Sequence, residues 1–416
     1  MSPADHKMQT ETPFRGIAPF LRLSIAGGDL QAAAQELLEQ AKRDADDANL
    51  WMNLSIAMLC LGQRDLGLSI QHQALEMKRI YRIPATEQPA RLRLLMLMQP
   101  GDLSANTPLE CLLENGDIDL VFYYLSPGDP LALPIPEHDA LIVAIGKVEH
   151  NGELLESLAQ TLANWPRPVI NLPQRILATE RSVASALLQD APGVVIPPTL
   201  HVSRPALREI AQGDVGLPGD LVFPVTLRPV GSQAGRDLAR LASPAEIAAY
   251  LDRVDGEAFF LSRFVDYSGA DGLFRKFRIA LIDGAAYACH MAVSSHWMVH
   301  YVNAGMYEDA GKREEEAAFM ANFDDFAQRH RAALDAVHRR IGLDYSCIDC
   351  AETPDGRLQI FETDHVMVVH AMDPEDMFPY KPFHIEKARR AFRDYLFRLT
   401  AGHPLHDQPG TGQKAH

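Results

Sequence analysis

Tyr345-Ser-Cys-Ile-Asp-Cys350 and Leu358-Gln-Ile-Phe-Glu-Thr-Asp364 are two apolar, strand-like runs, and Thr353-Pro-Asp-Gly356 between them is a strong turn signal. Three carboxylates, Asp349, Glu362 and Asp364, lie inside these runs. Acids within otherwise buried strands are costly to hold charged unless a positive group neutralises them. Side chains at i and i+2 of a strand share a face, so Glu362 and Asp364 are expected to point the same way. A two-residue turn at Asp355-Gly356 pairs Pro354 with Arg357 and sets Asp349 directly opposite Glu362. A four-residue loop keeps that parity, whereas a three-residue loop, Pro-Asp-Gly, puts Asp349 on the other face. Hard oxygen ligands on one surface suit Mg²⁺, which takes few carboxylates and completes its shell with water and phosphate oxygens. The expectation is a nucleotide-metal site in outline; the plainer alternative is a solvated face of an edge hairpin.

The remainder of the chain bounds that reading. At 416 residues there is material for two to four domains and a large core. A 47% hydrophobic and 23% charged composition is that of an ordinary globular protein. The formal net charge of −16 argues against nucleic acid or an anionic membrane as partner, since both reward basic surface. No apolar run is long enough to span a bilayer, and Met1-Ser-Pro-Ala-Asp-His-Lys7 lacks the pattern of a secretory signal. Five scattered cysteines make no disulfide framework, so a reducing cytoplasm is expected. Cys347 and Cys350 form a C-x-x-C, but residues three apart in a strand face opposite sides, which favours two small buried hydrophobes over a metal grip.

Periodicity divides the chain. Residues 1–85 read as a small all-α front, with apolar residues at helical spacing in Ala32 to Ala41, Leu50 to Leu61 and Leu66 to Lys78. Trp51, Leu54, Leu61-Gly62, Leu68 and Ala74-Leu75 resemble one tetratricopeptide repeat; too few repeats exist for a free-standing solenoid, so the segment must pack on the chain, on a protein partner or on a second copy. From residue 90, strands at Arg91 to Gln99, Leu120 to Tyr124, Asp139 to Gly146 and Pro168 to Asn171 alternate with helices near Pro108 to Leu113 and Gly152 to Trp165. That alternation is α/β with a mostly parallel sheet. Further strands are expected near 223–227, 258–264, 277–282 and 287–293, with helices at 175–188, 244–253, 315–341 and 385–399 and a disordered tail over 403–416.

The order of these pieces resembles the ATP-grasp superfamily over about residues 90 to 400. Phe223-Pro-Val-Thr-Leu-Arg-Pro-Val-Gly-Ser-Gln-Ala-Gly235 is similar to that family's strand with a phosphate-binding cation followed by its glycine-rich loop. Phe260-Leu-Ser-Arg-Phe-Val-Asp266 is similar to the hinge strand that meets adenine and ribose, and Arg275-Lys-Phe-Arg-Ile-Ala-Leu-Ile-Asp-Gly284 to the basic strand that follows. Asp349, Glu362 and Asp364 fall where the family places its metal ligands. The resemblance implies a pre-ATP-grasp domain over 90–190 and an ATP-grasp domain over 191–402, with a nucleotide lobe at 191–266 and a metal and substrate lobe at 267–402. It implies ATP with Mg²⁺ or Mn²⁺, and ADP-forming ligation of a carboxylate to an amine or thiol. Nucleotide contacts would come from Arg228, Gly231, Ser232, Gly235, Arg263, Val265, Asp266 and Lys276, with Arg278 and Arg228 in catalysis. Arg228 stands where the family usually has lysine, and Asp364 where it usually has asparagine.

Each piece also has a physical reading. Arg228 in an apolar strand needs an anionic partner. Gly231 and Gly235 leave backbone N–H groups free to approach phosphates, although a Gly-x-x-x-Gly is equally the mark of a plain connecting loop. Lys276 and Arg278 share a strand face, which makes them better anion binders than Arg275. For the substrate, His296-Trp-Met-Val-His-Tyr-Val-Asn303 gathers imidazole, aromatic and amide groups, and His296, His300 and Asn303 are its polar candidates. The glutamate of a helical zinc motif is absent there. His365 and His370 follow the acidic strand directly, and the loop Met372 to Lys381 is expected to border the site or to be a solvated connection. The acceptor class favoured is an amino acid, peptide or small metabolite; the competing reading is a non-catalytic nucleotide-binding scaffold.

Overall fold

The computed structural model describes residues 12–401 apart from 129, 233 and 234. The expected tail at 403–416 and the first residues of the helical front lie outside them. The described residues build an α/β chain around three sheets.

The front consists of helices Ala18–Ile25, Leu30–Arg43, Ala48–Cys60 and Arg64–Met77. Aspartates start two of them. Asp29 accepts the Ala32 N–H at 2.8 Å, and Asp47 accepts the N–H groups of Asn49 and Leu50, filling donors that a helix start leaves unpaired. The helices do not stand alone. Phe14 packs tilted against Tyr81 and edge-on against Phe122 at ring distances of 5.0 and 5.2 Å, and one apolar core runs from Leu37 and Leu54 to Leu94, Phe122 and Phe392. A front of this size cannot bury its own apolar face, and the first sheet supplies the missing surface.

That sheet has the order Ile80–Ile83, Ile118–Tyr124, Leu92–Met98, Ala140–Val143, Val169–Ile170. Its four central and far strands are parallel, and Ile80–Ile83 is an antiparallel edge absent from the sequence expectations. A four-stranded antiparallel sheet follows, ordered Thr199–Ser203, Ala258–Arg263, Val225–Pro229, Ala239–Leu241. The third sheet is ordered Ala285–Ser294, Phe274–Ile282, Tyr345–Glu352, Leu358–Asp364, Val194–Val195.

The long helix expected over 315–341 is three: Ala310–Ala321, Phe323–Arg329 and Arg331–Ile341. Asn322 and His330 sit at the breaks in non-helical conformations. The helix at 175–188 is likewise interrupted, because Glu180 takes an extended conformation and caps a new helix, Arg181–Leu188, by accepting from Ser182 and Val183. The last helix begins earlier than expected, at Lys381, and runs to Thr400.

Candidate active site

The opening hairpin behaves as expected in outcome but not in cause. Thr353 and Arg357 pair through the Thr353 N–H, leaving Pro354-Asp355-Gly356 as a three-residue loop with Gly356 at φ +78°. Such a loop should turn Asp349 away from Glu362. A β-bulge at Phe361 restores the parity: Cys350 pairs with Ile360, whereas Asp349 pairs with Glu362. The two acids are therefore cross-strand neighbours.

The next strand extends the row. The partner of Asp349 on its other side is Arg278, and the partner of Arg278 beyond it is His290. Directly opposed residues share a sheet face, so His290, Arg278, Asp349 and Glu362 line up across four strands. Asp349 is gripped from two sides: Lys276 Nζ donates to Oδ2 at 2.8 Å, while Arg278 donates from Nε to Oδ1 at 2.8 Å and from Nη2 to Oδ2 at 3.1 Å. Burial works to raise the Asp349 carboxyl, but Arg278 and Lys276 hold it well below the usual carboxylate range. Glu362 receives Arg181 Nη2 at 2.5 Å.

Facing this row across a cleft of about 200 Å³ is the antiparallel sheet. Its Arg228 lines the cleft, and burial pulls the guanidinium down to about 10, with Arg181 nearby adding to the effect. Arg228 donates from Nε to Ser232 Oγ at 3.0 Å and from Nη2 to the Ser232 carbonyl. The cation thus holds the glycine-rich loop. From the other wall, His300 meets the same loop: a Cβ at Gly235, whose φ is +69°, would lie 2.4 Å from His300 Nε2. The apolar part of the cleft lining includes Ile196, Pro197, Leu238, Phe264, Val265 and Trp297. Pockets for small ligands run to about 300–1,000 Å³, so a nucleotide would have to displace part of this closure.

Of the residues expected to meet nucleotide, Arg228, Gly235, Arg263, Val265 and Lys276 line the cleft. Gly231, Ser232 and Asp266 do not; Ser232 is held by Arg228, and Asp266 accepts the Ser268 N–H at 3.0 Å to turn the chain. The three acids expected at a metal are not all brought together. Asp364 lies outside the cleft lining, and its Oδ1 accepts the N–H of His365 at 2.7 Å and of Val366 at 3.4 Å, ending the strand. Among the described residues no three or more His, Cys, Asp or Glu side chains converge for a metal. Two fit: Asp349 and Glu362 are adjacent carboxylates on the cleft wall, and Mg²⁺ needs only one or two together with phosphate oxygens.

The substrate set also shrinks. His300 lines the cleft, whereas His296 and Asn303 do not; Asn303 Oδ1 accepts the His300 N–H at 2.9 Å and closes a short 3₁₀ turn, Tyr301–Asn303. The Met372 to Lys381 loop is solvated at Glu375, Asp376 and Pro379 and is not part of the cleft lining, but its two ends are anchored. Asp373 and Lys381 are buried together with Glu316 in a separate ion cluster. Cys347 and Cys350 are buried free thiols, as expected.

Arg181 was missed. Its signal is a cation at the first position of a helix, where the helix dipole disfavours positive charge unless an acid or anion compensates.

No protein-family model and no curated protein matches the sequence. Solved structures do resemble the fold. The D-alanine–D-alanine ligase of Bacillus anthracis complexed with ATP is 13% identical, with a TM-score of 0.44 over 75% of this chain and 97% of that one. An ATP-grasp RimK domain protein of Sphaerobacter thermophilus is 15% identical, with a TM-score of 0.41 over 73% and 99%. The VanG D-Ala:D-Ser ligase of Enterococcus faecalis is 15% identical, with a TM-score of 0.45 over 74% and 99%. At 13–15% identity the likeness to these structures is one of fold alone.

Proposed function

We propose that this chain is an ATP-dependent ligase joining a carboxylate to an amine (or thiol), with ADP and phosphate released by way of an acyl phosphate. The observation that carries the proposal is that Arg181, Lys276 and Arg278 pair with two cross-strand carboxylates while Arg228 lines the same cleft as those carboxylates. That excess of positive charge suits a polyanion, and the apolar lining residues Phe264, Val265 and Trp297 suit a flat base.

In this reading Arg228, Arg181 and Lys276 hold phosphate oxygens. Asp349 and Glu362 would hold Mg²⁺ or Mn²⁺, which when bound supplies positive charge beside the transferring phosphoryl group. Release of Arg228 from Ser232 exchanges a neutral partner for an anionic one, and charge-assisted bonds are the stronger kind. An oxygen of the donor carboxylate attacks the γ-phosphorus, the bond to the bridging oxygen breaks, and ADP departs. Arg278, with about a fifth of its side chain exposed, steadies the oxygens of the acyl phosphate. The acceptor nitrogen then attacks the acyl carbon, phosphate leaves, and the nitrogen gives up a proton. A covered cleft keeps water from competing.

We place the donor and acceptor among amino acids, peptides and small metabolites, and assign the nucleotide lobe to 191–266 and the metal and substrate lobe to 267–402, after an α/β domain at 90–190. The helical front buries its inner face on the first sheet, so a protein partner or a second copy would have to use its outer surface.

The test is magnesium-dependent ADP release from ATP across pools of amino acids and short peptides, with mass spectrometry of the products, beside Glu362→Ala. Turnover lost in the variant, with a product equal to two substrates minus water, supports the ligase. ATP binding with no ADP release from any pool favours a nucleotide-holding scaffold.

A further inference from the structure

At the far end of the acidic row from Glu362 stands His290, which the proposed reaction has not used. It is the cross-strand partner of Arg278 and so shares the face on which the acyl phosphate would be held. The residue is half-buried, its Nδ1 is enclosed without a hydrogen-bond partner among the described residues, and its ring meets Tyr301 edge-on at 4.8 Å. A buried imidazole nitrogen is normally paired, and this unpaired one, outside the cleft lining but on the sheet face that carries Lys276 and Asp349 to it, calls for an explanation. The charged groups that face it are Arg278, Lys276 and Asp349 along the sheet and Lys381 from the last helix, with Glu316 bound to the N–H of the adjoining Met291. Burial, and then the positive charge of Arg278, push the imidazole well below its ordinary value, so it rests neutral at physiological pH.

We infer that His290 is the proton acceptor for the incoming amine. This rests on the ligase reading. The acceptor nitrogen bonds to the acyl carbon held at Arg278, and the attacking nitrogen becomes positively charged and acidic. The imidazole Nε2 lone pair takes its proton as the carbon–oxygen bond to phosphate breaks. The imidazolium then carries an Nδ1–H with no acceptor, which weakens its hold on the proton and lets it pass on to water or to the departing phosphate. The order of the row follows from this assignment: phosphates at Glu362 and Asp349, the acyl group at Arg278, the amine at His290.

His290→Gln separates the steps. Wild-type protein and variant are each given ATP, Mg²⁺ and pools of amino acids, with either hydroxylamine or the amino acids themselves as acceptor. Hydroxylamine is largely unprotonated at neutral pH and needs little help, so hydroxamate formation reports the acyl phosphate and an intact fold. The expected result is near-normal hydroxamate formation in the variant with amide formation down about 10²-fold or more. In both proteins amide formation should climb about tenfold per pH unit toward the amine's own pKa, because only the unprotonated amine attacks, and the wild type's advantage should close only as pH falls below the ordinary histidine value and the imidazole is protonated. Loss of hydroxamate and amide together in the variant, or an unchanged amide rate and pH profile, overturns the assignment. Absence of hydroxamate and ADP in the wild type overturns the ligase reading itself, and with it this role.

Discussion

Two buried ion clusters lie in the same half of the molecule, and they differ in what is left for a ligand. Around Lys381, Nζ is 2.9 Å from Asp373 Oδ2 and 3.6 Å from Glu316 Oε1, and it sits 4.0 Å over the Tyr301 ring. Glu316 is satisfied in full by the Met291 N–H at 3.0 Å and the hydroxyls of Tyr301 and Tyr380 at 2.8 and 2.6 Å. The side chains of Lys381, Glu316 and Asp373 are 3%, 0% and 4% exposed. Around Asp349 the cations are more open, with Lys276 at 10% and Arg278 at 21%, and Lys276 and Asp349 line the cleft. Buried charge alone therefore does not mark a site. The Lys381 cluster is closed on itself and fixes the segment that carries Tyr301, whereas the Asp349 cluster keeps capacity that a phosphate or a metal can take up.

The comparison breaks most readily at Lys381. Lys381→Met leaves Glu316 and Asp373 without a cation and should cost about 3–5 kcal/mol of stability, read as a fall in thermal midpoint that ATP does not restore. Asp349→Asn should act in the other way. Activity is expected to fall about 10³-fold, and the stability lost by leaving Lys276 and Arg278 unpaired should be regained on adding ATP. A large midpoint loss in Asp349→Asn that ATP leaves unchanged would erase the distinction between the clusters.

A third buried acid, Glu110, sharpens the contrast because none of the described residues forms an ion pair with it. Glu110 accepts the Ile17 N–H at 3.2 Å through Oε1, and Oε2 is buried without a partner. Burial raises its carboxyl to about 7. Since the folded value lies above the ordinary one, the contribution of this group is greatest below about pH 4.5 and is lost as pH rises through about 7. Glu110→Gln keeps the acceptor and removes the charge, so it should flatten that dependence and recover roughly 3 kcal/mol or less at neutral pH. A wild-type unfolding midpoint that does not fall between pH 4.5 and 7 relative to Glu110→Gln would contradict it.

The smallest effect is expected at the cleft mouth. Gly235→Ala places a Cβ at φ +69° and against His300, which should cost about 1–2 kcal/mol and raise the KM for ATP. Combining it with His300→Ala should recover part of that loss; no recovery would mean that the strain at φ +69° alone is responsible.

Much of this arrangement is legible in the residues, and the exceptions have identifiable causes. Strand and helix positions in the body follow from period-2 and period-3.6 patterning over long segments. Thr199–Ser203 and Ala239–Leu241 escaped notice because short strands carry too few residues to show alternation. The pairing of Asp349 with Glu362 was reached through a two-residue turn that does not exist; the Phe361 bulge compensates for the three-residue loop, and bulges leave no periodic trace. Asp364 was placed by its i+2 spacing from Glu362, but the strand ends there and the side chain turns to the backbone instead. Arg181 and His290 come from segments far from the acidic hairpin in sequence, and only the sheet and the helix start bring them to it.

The central claim is that the Asp349–Glu362 row binds a nucleotide with its metal. Calorimetric titration of ATP, in the presence of Mg²⁺, into the wild type and into Glu362→Ala tests it most directly. The account predicts saturable, magnesium-dependent binding by the wild type that weakens at least tenfold in the variant. No binding by the wild type, or equal binding by both proteins, would contradict it.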